Sequence, residues 1–298
     1  MNVLVIGQQG QLGTELLRAR WPQSTVLCAL TQQDWDLTQR DKLPALLTDR
    51  SWDLIVNAAA YTAVDQAESE PDLAFAINEH APAAIAAACA KTDVPFIHVS
   101  TDYVFDGSKD EPYTEDDPIN PINTYGASKA AGEQAVRSAH AMHIILRTSW
   151  LYSPHGRNFA KSMINLAEQR DELRIVNDQH GCPTTAGDLA GAIARIAEMI
   201  AYGQPVKWGT FHYAGRGATT WYGLAEAVLD TYHALGGKRP ALRGIPTSEY
   251  PTPARRPANS RLDCTRIEAE LGIVPRPWRE SCTAVVKEIV AAQAEVTQ

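Results

Sequence analysis

The chain is expected to fold as an α/β protein, with a doubly wound parallel sheet and a smaller C-terminal domain. Three observations lead there. Through the first half, short apolar runs alternate with helical stretches, the pattern of a parallel sheet wrapped by helices. A glycine-spaced turn, Gly7-Gln8-Gln9-Gly10-Gln11-Leu12-Gly13, directly follows the first apolar run. Beyond Gly203 the chain changes character: Pro and Gly become frequent, Trp208, Trp221 and Trp278 appear, and strands are hard to place. With 298 residues, 45% of them hydrophobic, one large or two modest cores can be buried.

Taken in order, the strands are expected over 2–6, 25–29, 54–57, 95–100 and 143–147, with a third short strand before Asp36. Helices are expected over 12–18, 41–47, 71–91 and 124–139, then over 159–170 and 185–200. The opening residues, Met1 to Gly7, have neither a basic region nor a small-residue cleavage site, so they read as a strand and not as a signal peptide. No repeat, low-complexity tract or Gly/Ser linker divides the chain. The expected partition is a first unit over 1–152, joined by about 178–212, and a second over 213–298, joined by about 153–177. The second unit reads as a lid that completes a substrate pocket.

Composition narrows the classes of function. A net charge of -8 argues against general nucleic-acid binding and means that an anionic substrate needs a local basic patch. No apolar stretch approaches the roughly 20 residues that span a bilayer, so no membrane partner is expected. Cys28, Cys89, Cys182, Cys264 and Cys282 are odd in number and widely spaced without Cys-x-x-Cys, which favours reduced structural thiols over a zinc site. A cytoplasmic enzyme with no metal is the expectation.

Strand, Gly-x-x-Gly-x-x-Gly and helix form a dinucleotide site. Gly7 permits the tight turn, Gly10 lets backbone approach a pyrophosphate, and Gly13 lets the helix pack on the sheet, with the anion at the helix N-terminus beside Gln11 and Leu12. Cofactor type is read at the end of the second strand, where an acid would bond the ribose and exclude a 2'-phosphate. The stretch Cys28-Ala29-Leu30-Thr31-Gln32-Gln33 has no carboxylate until Asp34, so NADPH is admitted; it has no Arg or Lys either, so NADH is not excluded. Small side chains in Asn57-Ala58-Ala59-Ala60-Tyr61-Thr62 let backbone pass close to a flat ligand. Tyr125 and Lys129, four residues apart, share one helix face, so an ammonium beside a phenol should lower the phenol's pKa from about 10 toward a working proton donor. Thr101 ends an apolar run just upstream.

These motifs together resemble the extended short-chain dehydrogenase/reductase superfamily, which implies a Rossmann-type fold. Within it the chain resembles the dTDP-4-dehydrorhamnose reductase family. The stretches that carry this are 57–68, Ser100-Thr101-Asp102-Tyr103-Val104-Phe105-Asp106-Gly107, Arg147-Thr148-Ser149-Trp150-Leu151-Tyr152, Asn158-Phe159-Ala160-Lys161, 178–184 and 251–257, in order from residue 1 to about Leu262. The resemblance implies NADPH-dependent reduction of the C4 ketone of dTDP-4-dehydro-β-L-rhamnose, the last step of dTDP-L-rhamnose synthesis. It implies Tyr125, Lys129 and Thr101 as catalytic. It places the cofactor against the glycine turn, Thr31, the Asp36-Leu37 pair, Ala60, Tyr61, Thr62 and Val99, with Tyr125 and Lys129 at its nicotinamide end. Asp102, Trp150, Asn158, Arg255 and Arg256 are implied on the sugar-nucleotide side, joining Thr101. Bland readings stay open: Asp36 as a solvated loop acid, Trp150 as a core residue, and one of the two arginines as solvated.

Two departures sharpen the expectation. Related 4,6-dehydratases carry Thr-Asp-Glu where this chain has Thr101-Asp102-Tyr103, and Tyr103 cannot replace that glutamate as a base near neutral pH. Some reductases of the family dimerise through metal-bridged glutamates. Here Glu15 is present, but Thr185-Ala186-Gly187-Asp188 offers no second glutamate, so a metal-linked dimer is in doubt and a monomer or homodimer is expected. A regulatory subunit of eukaryotic methionine adenosyltransferase also resembles this family, and a sister dTDP-4-ketosugar is a second alternative substrate. The motifs alone do not prove turnover.

Overall fold

The alternation of apolar residues in the first strand decides how the sheet is covered. In β1 (Asn2–Ile6), Val3 and Val5 enter the core on one side and Leu4 and Ile6 enter the core on the other. Burial on both faces requires helices above and below a parallel sheet. The structure is a computed structural model that describes residues 1–39, 47 and 51–296. It sets β1 between β2 (Val26–Leu30) and β3 (Leu54–Asn57), and continues through β4 (Phe96–Thr101) and β5 (His143–Thr148) to a sixth strand, β6 (Gly209–His212). All neighbours are parallel. The chain leaves β1 to one side for β2 and returns to the other for β3, so a crevice opens at the carboxyl ends of β1 and β3.

Helices α1 (Gln11–Arg18) and α5 (Ala186–Ala201) cover one face, sharing a core with Val3, Val5, Val56 and Leu146. The other face is covered by α2 (Pro71–Thr92) and α3 (Thr124–Ala139), through Ile85, Ala86, Cys89 and Val136. At 22 residues and a mean hydropathy of 1.2, α2 is long and apolar enough to cross a bilayer by length and composition, which corrects the expectation that no segment is. Here it packs against α3, with its Ala81, Ile85, Ala86 and Cys89 side chains buried.

Three expected elements differ. The helix at 71–91 is interrupted by a π turn, Ala76–His80. Pro82 explains it: proline has no N–H, and its ring clashes with the carbonyl four residues back, that of Asn78, so the turn widens. The third strand expected before Asp36 is absent, because Thr31 and Asp34 close a tight turn on each other and residues 32–34 and 37–38 are in turns. The helix expected at 41–47 lies outside the described residues apart from Leu47, which is helical and buried.

A second core lies beside the sheet. It gathers α4 (Phe159–Gln169), α6 (Trp221–Ala234) and α7 (Trp278–Val296) around Met163, Leu173, Leu224 and Val286, with a parallel pair of strands, Glu172–Val176 and Ala241–Ile245. Between the cores, Phe105 stacks on Tyr113 at 4.2 Å and packs with Cys182, Ala214 and Leu262. All five cysteines are free thiols.

Candidate active site

The glycine turn follows β1 and crosses the crevice. Gly7 has φ +93°, and a Cβ there would lie 2.6 Å from the backbone nitrogen of Ala59; at Gly13 it would lie 2.1 Å from Gly7 O. Both must therefore be glycine, one for conformation and both for approach. At Gly10 the same Cβ would meet nothing nearer than 3.4 Å, so that backbone faces open space. A cavity of about 760 Å³ begins there, bounded by Gly10, Gln11 and Leu12, and passes Thr31, Asp36 and Leu37. It continues along Ala60, Thr62 and Val99 to Thr101, Asp102, Tyr125, Lys129 and Trp150. Its length, its open phosphate-sized turn and its flat alanine floor fit a nicotinamide dinucleotide.

At the end of β2, Asp34 does stand close, but its carboxylate is folded back to accept the N–H and hydroxyl of Thr31 at 2.8 and 2.7 Å. Thr31 and Gln32 line the cavity in its place. Asp36 accepts the N–H and hydroxyl of Thr38 in a similar turn. Tyr61 differs from its expected role: its hydroxyl donates to Glu70 at 2.7 Å and its ring stands outside the lining. Its backbone N and O are tied instead to the Asn78 side chain at 2.9 and 3.0 Å.

Asn78, delivered by the π turn, is a residue that sequence reasoning missed. The same side chain donates to Ser128 Oγ at 3.0 Å, and Ser128 donates to Tyr125 O at 2.8 Å. The backbone of Tyr61 is thus tied to α3 between Tyr125 and Lys129. Gly132 completes the fit, since a Cβ there would lie 2.0 Å from Asn78 O. Pro82 in an otherwise helical run was the available signal.

Helix α3 begins on Asn123, which accepts the N–H of Gly126, and presents Tyr125, Lys129 and Glu133 along one stripe. Lys129 is buried. Its Nζ donates to Val99 O at 2.6 Å and stands 3.4 Å from His98 Nε2, behind which His98 Nδ1 meets the Asn57 amide at 3.2 Å. Burial pushes Lys129 down to about 8, against the pull of Glu133. The expected lowering of the Tyr125 phenol is not found: burial pushes it up to about 12, opposed by the Thr101 hydroxyl. Lys129 is turned to the Val99 carbonyl, and desolvation dominates at the phenol. One turn on, Glu133 is fully buried, paired with Arg147 through two bonds of 2.9 and 2.7 Å and accepting Ser100 Oγ at 2.6 Å.

The opposite wall is less regular. Trp150 has a left-handed backbone (φ 49°), and its ring stacks on Trp221 with centroids 3.7 Å apart and 7° between planes. Gly181 is forced by the same indole, since a Cβ there would lie 2.4 Å from it. Trp221, anchored by Nε1 to Gln179 at 3.1 Å, also lines the cavity and was not singled out from sequence. Its only signal was a tryptophan just after the Thr219-Thr220 pair. Arg157 at the tip of its loop lines the cavity too and was likewise missed.

Asn158 lies on the wall, yet its amide is committed: it caps α4 through Lys161 N and donates to Gln11, Ser153 and His155. Neither Arg255 nor Arg256 lines the cavity. Arg256 forks onto Asp65 at 2.9 and 2.7 Å, while Arg255 is exposed and gives its carbonyl to Asn123. Glu15 pairs with Arg18 and His155 at 3.2 and 3.0 Å, and a Cβ at Gly187 would lie 3.5 Å from it.

Comparison with known proteins agrees with this geometry. The family model described as RmlD substrate binding domain matches residues 1–291. A dTDP-4-dehydrorhamnose reductase of Sinorhizobium fredii is 45% identical over 287 residues, covering 96% of this chain and 97% of that one. The crystal structure of a dTDP-4-dehydrorhamnose reductase from Clostridium acetobutylicum superposes with a TM-score of 0.90 at 35% identity, over 97% of this chain and 99% of that one. One from Bacillus anthracis, solved in complex with NADP, gives 0.89 at 33% identity, over 96% and 99%.

Proposed function

Because the chain belongs to the RmlD substrate binding domain family, we propose that it reduces the C4 ketone of dTDP-4-dehydro-β-L-rhamnose to dTDP-β-L-rhamnose with NADPH. The observation that carries this is a single cavity joining the glycine turn to Thr101, Tyr125, Lys129 and Trp150. Relatives named for that reaction, one of them bound to NADP, support the substrate and the cofactor.

The cofactor, when bound, supplies hydride to the sugar ketone. The chain supplies the proton and the alignment. Tyr125 is held neutral by burial, the form that donates a proton as charge builds on the ketone oxygen. Thr101 orients that oxygen, and Lys129, fixed on Val99 O, is placed to bond the nicotinamide ribose. With the Asp34 carboxylate folded onto Thr31, Thr31 and Gln32 line the cavity at the end of the second strand, so NADPH is served at least as well as NADH. Trp150 and Asp102 receive the sugar. The diphosphate falls to the remaining N–H donors of Arg256, which Asp65 holds in place.

The units proposed are a dinucleotide-binding one over 1–152 with about 178–212, and a sugar-nucleotide one over 213–298 with about 153–177. Two features support them: β6 completes the sheet, and α4, α6 and α7 share the second core. A cytoplasmic monomer or homodimer, with no membrane or nucleic-acid partner, is the accompanying reading. Coupling the purified protein to a 4,6-dehydratase and a 3,5-epimerase, starting from dTDP-glucose and NADPH, should yield dTDP-L-rhamnose. NADPH binding without any product would point to a regulatory subunit, and turnover confined to another ketosugar would move the substrate to a sister compound.

A further inference from the structure

Thr101 has one hydroxyl proton for two acceptors, the Asp102 carboxyl and a substrate oxygen. Its Oγ1 donates to Asp102 Oδ1 at 2.9 Å and accepts the N–H of Tyr103 at 3.2 Å. While that proton is held by a carboxylate, nothing is left to give to a ketone oxygen, or to the Tyr125 phenol beside it.

The surroundings of Asp102 disfavour a carboxylate. The residue is 2% exposed. Its Oδ2 is buried without a hydrogen bond, and the Ser260 hydroxyl, which bonds His180 O at a long 3.3 Å, reaches the Asp102 carboxyl only by turning from that carbonyl. Among the described residues no ammonium or guanidinium pairs with it: Lys129 serves Val99 O, and Arg256 serves Asp65. The ionisable groups that face it are Tyr103 on its own turn, Tyr125 on α3 and Cys182 on the segment after Gly181. All three are pushed up by burial and stay neutral near pH 7. An ion here loses its water and gains little in return.

We propose that Asp102 works as a neutral carboxylic acid whose O–H donates to Thr101 Oγ1, reversing the 2.9 Å bond and freeing the threonine proton for the ketone oxygen. This rests on the reductase reading above. Asp102 keeps its proton throughout, so it is a positioning residue acting through Thr101. Burial pushes it up to about 7, with the Ser260 and Thr101 hydroxyls opposing. Below that pH Thr101 is a donor to substrate; above it the carboxylate recaptures the proton, and reduction slows.

Two readouts test this. In carbon-13 carboxyl NMR of the full chain, with the resonance assigned through D102N, Asp102 should titrate near pH 7. T101V should raise that midpoint, because the bond lost from the carboxylate is charge-assisted and stronger than the one lost from the neutral acid. A midpoint near the ordinary value of about 4, or one that T101V leaves unmoved, overturns the proposal. In turnover, wild-type kcat/KM for the ketosugar nucleotide should fall about tenfold from pH 6 to pH 9, the size of a single orienting hydrogen bond. Both T101V and D102N should lose the part of that fall centred near pH 7 and keep any part centred near 8, where Lys129 titrates; a fall near pH 7 of undiminished size in T101V overturns the proposal. If wild type reduces no ketosugar at any pH, the reductase reading fails instead, and the NMR midpoint still decides the state of Asp102.

Discussion

The two walls of the cavity are built in different ways. The cofactor wall consists of regular elements locked by buried bonds: Asn78 ties Tyr61 to Ser128, and Glu133 forks onto Arg147 beneath Lys129. On the sugar wall stand a left-handed Trp150 and a stacked tryptophan pair, and outside the lining an arginine is held by a half-exposed aspartate. On the proposed function, the first wall fixes atoms for chemistry and the second fixes surfaces for recognition. Damage to the first should therefore appear in stability and kcat, and damage to the second in KM.

The largest effect is expected where the cofactor wall is most deeply buried. Glu133→Ala strands the Arg147 guanidinium, and losing one partner of a buried pair costs about 3–5 kcal/mol, to be read from denaturant midpoints. Glu133 is held below its ordinary pKa because Arg147, Ser100 and Arg137 outweigh its burial. Its contribution is accordingly present above about pH 4.5 and lost as pH falls through the depressed value. A wild-type-like midpoint in the variant would break the contrast between the walls.

Next comes chemistry. Tyr125→Phe keeps the ring, including its edge contact with Tyr103 at 5.8 Å, and removes the proton, so kcat should fall on the order of 100-fold with NADPH affinity kept. Near-wild-type turnover would make the tyrosine structural and point to Tyr103 or a water as the donor.

Beside the sugar wall, Arg256→Ala should raise KM about tenfold while kcat changes little, since phosphates bind alike in ground and transition states. Its stability cost should be small, because the pair with Asp65 is partly exposed. An unchanged KM would remove the 251–257 loop from the site. The smallest effect is Thr31→Asp, which should shift preference toward NADH by roughly fivefold, about 1 kcal/mol of like-charge repulsion against the 2'-phosphate. An unchanged ratio of kcat/KM values would place the ribose elsewhere.

The same contrast separates what was legible in the sequence from what was not. Gly7, Gly10 and Gly13, and the four-residue step from Tyr125 to Lys129, are local patterns whose spacing states their geometry. Asn78 and Glu133 act across the fold on partners 17, 50 and 14 residues away, and no local period announces them. The phenol's pKa was misjudged for a related reason: helix spacing places Lys129 near Tyr125, but only the fold shows the ammonium turned to Val99 O. The motifs pointed to Trp150, which lines the cavity, and to the two arginines, which do not, whereas the stack on Trp221 and the fork onto Asp65 join segments that sequence order keeps apart.

The central claim is that both walls serve one hydride transfer to a sugar ketone. The direct test uses NADPH deuterated at C4 on the transferred face, with dTDP-4-dehydro-β-L-rhamnose generated in place. The account predicts one NADPH oxidised per sugar and deuterium at C4 of the dTDP-L-rhamnose formed. NADPH that binds but is neither oxidised nor depleted of deuterium would contradict it.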